Sequence, residues 1–179
     1  MSRIFGPIRQ FAYVVKDIEA AMDHWINVMG VGPFFYMKDH MAPNNMYRGK
    51  PSSGRLSIAF ANSGPMQIEL LQPLDDAPSL LSDFLKEGRE GLQHVAYWTT
   101  TFDADIERYK KLGYELIQTG GMSGPNNGNA FFAGDGYPAL AHAIEISDIS
   151  GTKGAMFKKI ADAAVDWDGN DPIRKFPPA

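Results

Sequence analysis

The sequence predicts an α+β fold made of two successive βαβββ modules, and three observations predict it. The order strand, helix, three strands reads once over residues 7–73 and again over 91–150. Each module's helix stops at a glycine set at a similar distance from a polar residue of its first strand. Gly30 follows Gln10 by 20 residues, and Gly113 follows His94 by 19. The outer strands also align: Gln10-Phe11-Ala12-Tyr13 with His94-Val95-Ala96-Tyr97, and Gln67-Ile68-Glu69-Leu70 with Ala143-Ile144-Glu145-Ile146.

The elements follow in order. Residues 8–15 are rich in β-branched and aromatic side chains and read as a strand. Asp17 is a good N-cap for the next segment, where Ile18, Ala21, Met22, Trp25 and Met29 recur at helical spacing until Gly30. Phe34 to Lys38 form a second strand, and residues 39–53, with Pro43, Gly49 and Pro51, read as a long loop. Residues 55–62 and 66–72 form a hairpin across Ser63-Gly64-Pro65. A linker, 74–90, carries a short helix, LLSDFLKE, that stops at Gly88. The second module then gives a strand at 92–99, a helix at 102–112, a strand at 114–120 and two closing strands within 130–134 and 139–147. Gly120, Gly121, Gly124 and Gly128 match no phosphate-binding loop, because no strand–GxGxxG–helix order surrounds them; they read as a mobile loop, a candidate lid. Residues 151–165 read as a closing helix and 166–179 as an irregular end.

Composition removes several function classes. The chain has 179 residues and a net charge of −4, with its basic residues scattered, so nucleic acid and anionic membrane are poor partners. Absence of cysteine excludes disulfides, thiolate nucleophiles and cysteine metal sites, and fits a reducing compartment. No signal-peptide pattern opens the chain and no run of about 18 apolar residues occurs, so a cytoplasmic protein is expected.

Alternation along a strand puts residues two apart on one face. Four apolar-rich strands thereby each carry one metal-ligand type at mid-strand: Gln10, Glu69, His94 and Glu145. A lone polar group buried there is costly, and one divalent cation shared by two carboxylates, an imidazole and an amide oxygen would satisfy all four. Such a set suits Zn²⁺, Ni²⁺, Co²⁺, Mn²⁺ or Mg²⁺ and lacks the two histidines of a non-heme iron facial triad. Taken singly, each residue has a plainer reading: glutamates facing solvent, a half-buried histidine. The pairwise correspondence across the repeat favours the metal.

At this point the sequence resembles the vicinal oxygen chelate superfamily, which includes glyoxalase I, methylmalonyl-CoA epimerase, extradiol dioxygenases and bleomycin-resistance proteins. The resemblance covers roughly residues 7–150 and rests on QFAYVVKDIEAAMDHWINVMGVGPFF, IELLQP and GLQHVAYWT, together with the element order. It implies modules that pair, within a chain or across a homodimer, into a cupped, barrel-like mixed sheet with helices outside. Gln, Glu, His and Glu resemble the ligand set of one class of glyoxalase I. Three departures bear on substrate. Val14 stands where that class has a glutathione-binding arginine; Gln10 and Glu69 stand where the epimerase branch has His and often Gln; and no glutamate lies between Pro33 and Pro65.

The expected activity is that of a metal-dependent lyase or isomerase, glyoxalase- or epimerase-like, with Glu145 as the base and Glu69 second. Proton transfer would occur beside a metal-bound carbonyl of a small molecule or thioester. The alternatives are a metal-free small-molecule-binding protein and a ring-cleaving dioxygenase. Trp98 shares a face with His94 and is a candidate pocket wall; Arg48 and Arg55 are candidate holders of an anionic substrate tail, or solvated loop charges. Phe34-Phe35-Tyr36 and Trp25 read as core, His24 as exposed, His40 as a loop residue, and His142 as facing away from Glu145.

Overall fold

A computed structural model describes residues 2–41, 44–133 and 141–177. The first module comprises β1 (Ile8–Val14), α1 (Ile18–Asn27), β2 (Phe34–Met41), a hairpin of β3 (Met46–Tyr47) and β4 (Lys50–Pro51), then β5 (Arg55–Ser63) and β6 (Met66–Pro73). After α2 (Leu80–Lys86) the second module gives β7 (Gly91–Thr99), α3 (Phe102–Lys111), β8 (Leu116–Gly121), β9 (Gly128–Ala133) and β10 (Ala143–Asp148). Helix α4 (Thr152–Ala164) and β11 (Ile173–Lys175) follow. Positions 134 and 139–140 of the expected closing strands lie outside the described residues.

Local chemistry starts the first helix where expected. The Asp17 side chain accepts from the Ala20 N–H at 3.0 Å, a cap worth about 1 kcal/mol. Ile18 and Met22 of α1 are buried against Phe34, Ala59, Ala61, Ile68 and Leu70. Tyr109 of α3 is buried likewise against Ala130, Phe132, Ile144 and Ile146. These two module helices therefore cover the outer face of the sheet.

The eleven strands form one mixed, open sheet in the order β11-β2-β5-β6-β1-β7-β10-β9-β8-β3-β4. The modules meet edge to edge in a single chain where β1 pairs antiparallel with β7. The sheet must curl. From β2 to β3 is eight strand positions, about 38 Å if flat, yet the chain from Met41 to Met46 spans at most about 18 Å. The result is a cup that does not close into a barrel.

Three sequence expectations need correction here. Residues 39–53 are not one loop: β2 continues to Met41 and takes in His40, and the β3–β4 hairpin pairs with β8 of the other module through Met46↔Thr119 and Tyr47↔Gln118. The irregular tail contains β11, which pairs with β2. Gly120, Gly121 and Gly128 belong to β8 and β9 and are not a free loop. A Cβ on Gly121, at φ +143, would fall 2.3 Å from the Asn127 carbonyl oxygen, so only glycine fits. The module helices α1 and α3 lie outside, as expected, and α2 and α4 close the two ends of the cup. Phe84 of α2 packs with Val14 and Leu71 at one end of β1, and Phe157 of α4 packs with Phe60 and near Trp98 beyond the other. A cavity remains between them.

Candidate metal centre

Two rows of side chains cross the middle of the sheet on its concave face. In one, Gln67, Gln10, Ala96 and Glu145 lie side by side across β6, β1, β7 and β10. In the next, Glu69, Ala12, His94 and Ala143 do. The rows are related by the repeat. Ala12 and Ala96 are fully buried and carry only a methyl group, which leaves space between the longer polar side chains.

Irregularities in the β1–β7 ladder tune this placement. Ala12 pairs with His94 but Tyr13 with Leu92, so Gln93 is an extra residue in β7. A bulge releases a side chain from strict alternation, and the Gln93 side-chain oxygen, Oε1, sits 2.6 Å from His94 Nδ1. With Nδ1–H donated there, the neutral ring, the form that binds a metal, carries its lone pair on Nε2. That atom lies 3.0 Å from Glu145 Oε2 and 3.3 Å from Glu69 Oε2. These are ion-pair distances, but neither contact is aligned as a hydrogen bond, and both His94 Nε2 and Glu69 Oε2 are buried without a hydrogen-bond partner. Gln10 donates Nε2–H to Gln67 Oε1 at 2.7 Å, which leaves Gln10 Oε1 buried and unpaired as well.

Each orphaned atom costs about 1–3 kcal/mol, more when charged. Three around one cavity are an arrangement a cation resolves. Ligand atoms of Glu69, His94 and Glu145 cluster within 4.8 Å of one another, and His94 Nε2 is only 3.0 and 3.3 Å from the two carboxylates. Two donors sharing an ion at about 2.0–2.3 Å are at most about 4.6 Å apart. The residues present therefore fit a divalent ion, and Gln10 lines the same cavity.

Electrostatics follow from burial and proximity. Desolvation alone pushes His94 down, but Glu145 and Glu69 outweigh it and raise its pKa to about 9. Burial raises Glu69, with His94 pulling the other way. Lys153, buried in α4, is lowered to about 8 by desolvation, with Glu145, Asp148 and Glu69 resisting. Its ammonium donates to the carbonyls of Gly128 at 2.9 Å and Asn127 at 3.3 Å and to the Asn129 amide oxygen.

Gln10, Glu69, His94 and Glu145 thus converge on one cavity within one chain. Arg55 also lines it, but its guanidinium is paired with Asp39, Nε to Oδ1 at 2.7 Å. Arg48 lies in the β3–β4 turn with positive φ and faces a different cavity, beside Tyr47 and 3.8 Å from Glu115. Trp98 is outside the lining because Phe157 covers it, ring centroids 5.0 Å apart. Sequence reasoning did not single out Gln67, Gln93, Lys153, Phe157 or Phe176. Of these, only Gln67 had a usable signal, two residues from Glu69 on its face. His142 contacts Arg89 through Nδ1 at 2.8 Å, away from the cavity.

The family model described as Glyoxalase/Bleomycin resistance protein/Dioxygenase superfamily matches residues 9–132. Among curated proteins none matches the chain. Among solved structures, methylmalonyl-CoA epimerase from Mycobacterium tuberculosis superposes with TM-score 0.58 at 18% identity, covering 87% of this chain and 95% of the other. A hypothetical protein from Bacillus halodurans gives 0.57 at 19%, covering 79% and 92%. A Streptomyces coelicolor methylmalonyl-CoA epimerase in complex with 2-nitronate-propionyl-CoA gives 0.54 at 18%, covering 78% and 92%. At such identities these structures share the fold and nothing finer. The matched residues span more than half of the sequence, and the chain belongs to the glyoxalase/bleomycin resistance protein/dioxygenase superfamily.

Proposed function

We propose that this protein is a metal-dependent lyase or isomerase that moves a proton on carbon next to a carbonyl group. The observation that carries the proposal is the pair of buried carboxylates, Glu69 and Glu145, one from each module, meeting at His94 Nε2. Gln10, Glu69, His94 and Glu145 would hold one divalent ion. When bound, it supplies Lewis-acid polarisation of a substrate oxygen. Glu145 takes the proton from the adjacent carbon and returns it; Glu69, from the opposite module, serves a second face where the reaction needs one. Gln93 keeps the His94 ring in one tautomer. The apolar walls contributed by Leu71, Phe131 and Phe157 exclude water from the carbanion.

The partner of this site is a small molecule, and the site is complete without the second subunit of a homodimer. No helix among the described residues is long and apolar enough to cross a membrane. We place the protein in the cytoplasm on its lack of cysteine.

Deuterium exchange tests the proposal. Incubated in D₂O with a panel of 2-hydroxy acids, 2-oxo aldehydes and acyl thioesters, the protein is expected to incorporate deuterium beside the carbonyl of its substrate. Glu145→Gln retains much of the metal and loses at least ~10²-fold in rate. Full activity of Glu145→Gln with an absolute need for oxygen would make the protein a dioxygenase instead.

A further inference from the structure

The cavity over the candidate metal centre has a second wall, built by chain beyond the second module. Helix α4 and the residue after β11 set Phe157 and Phe176 against Phe60, with ring centroids 5.6 and 5.3 Å apart. Phe131 stands edge-on to His94, 5.2 Å between centroids and 83° between planes. All four phenylalanines line the same cavity as Gln10, Glu69, His94 and Glu145. One compact polar pole thus faces an aromatic surround.

Size and charge narrow the ligand further. The cavity volume is about 140 Å³, close to the roughly 150 Å³ apolar cavity that takes up benzene. The arginine and the lysine among its described lining residues are already committed. Arg55 holds Asp39 in a two-point contact, and its backbone N–H donates to Asp75 at 2.9 Å. Lys153 spends its hydrogens on Asn127, Gly128 and Asn129. Among the described lining residues no lysine or arginine is left to meet a phosphate or a peptide carboxylate, and Asp75 adds negative charge.

We infer that the cavity takes a compact molecule in which an aryl ring is joined directly to two adjacent oxygen donors. The oxygens face Gln10, Glu69, His94 and Glu145, and the ring lies among Phe60, Phe157 and Phe176. A polyanionic coenzyme A thioester is not its ligand. The inference rests on the metal reading for the oxygen pair, and on the phenylalanines alone for the ring.

Calorimetric titration of the nickel-loaded protein with benzohydroxamate, acetohydroxamate and propionyl-CoA tests it. The two hydroxamates share the oxygen pair and differ in the ring, whose burial is worth roughly 10–100-fold in affinity. Benzohydroxamate is expected to bind at least ~10-fold tighter than acetohydroxamate, on that scale, and tighter than propionyl-CoA. Phe157→Leu and Phe176→Leu, which keep the wall apolar, narrow the ratio. The same titrations on chelator-treated protein separate the two readings. A ring preference that persists there with no gain from nickel would overturn the metal reading, and with it the oxygen pair, and leave the place of the ring standing. Equal hydroxamate affinities, or tighter binding of propionyl-CoA, would overturn the inference with or without metal.

Discussion

Arg9 and Gln93 are the extra residues of two matching β-bulges, one in β1 immediately before Gln10 and one in β7 immediately before His94. Ile8 pairs with Tyr97 and Gln10 with Ala96, so Arg9 is unpaired just as Gln93 is. The repeat has kept the device while its use diverged. Arg9 turns its guanidinium over the Trp98 ring, 5.0 Å from the centroid, whereas Gln93 turns to the His94 ring. Bulges beside a site re-aim side chains that alternation would send to the other face.

Gln93→Leu follows from that relationship. Loss of the acceptor for Nδ1–H frees the imidazole to rotate and change tautomer. Outer partners of metal-bound histidines are worth about 10–100-fold in metal affinity. Competition with a chromophoric chelator should show a loss of that size, with the melting profile of the metal-free protein little changed.

Stability of the metal-free protein should fall as pH rises. His94 is raised to about 9 in the folded chain, against about 6.5 when unfolded. Its ion pairs with Glu145 and Glu69 therefore stabilise fully below about pH 6.5 and are lost as pH climbs through 9. Glu69, raised by burial, acts in the same direction. Thermal melts of chelator-treated protein should show Tm declining across that window. Metal needs a neutral imidazole, so metal binding should release a proton below pH 9 and tighten as pH rises.

Lys153→Met should loosen α4. The ammonium joins the helix to the start of β9, and its removal takes a donor from the Gly128 carbonyl and the Asn129 amide oxygen, while the Asn127 carbonyl keeps the Met122 N–H. A cost of about 1–3 kcal/mol is expected, or roughly 2–4 °C in Tm for each kcal/mol in a chain of this size. Hydrogen exchange should quicken first in α4.

The order of the main elements is legible because its punctuation is local: Asp17 caps α1, and Gly30 and Gly113 end the two module helices in left-handed conformations. The four site residues are legible because strand alternation and the repeat put them on equivalent positions. What escapes is non-local. Short β3, β4 and β11 have no period, and only pairing with β8 and β2 makes them strands. Lys153 sits in a helix with exposed Lys158 and Lys159 and looks like them in sequence; its burial depends on β9 arriving from elsewhere. Gln93 is hidden by the alternation that reveals His94.

The central claim is that Gln10, Glu69, His94 and Glu145 hold one divalent ion. Metal analysis of protein purified without chelators, paired with thermal melts after stripping and re-addition of Zn²⁺, Ni²⁺, Co²⁺, Mn²⁺ or Mg²⁺, tests it most directly. About one ion per chain is expected, with a rise in Tm on restoring it and loss of both in His94→Ala. Protein that carries no metal and gains no stability from any of the five ions would contradict it.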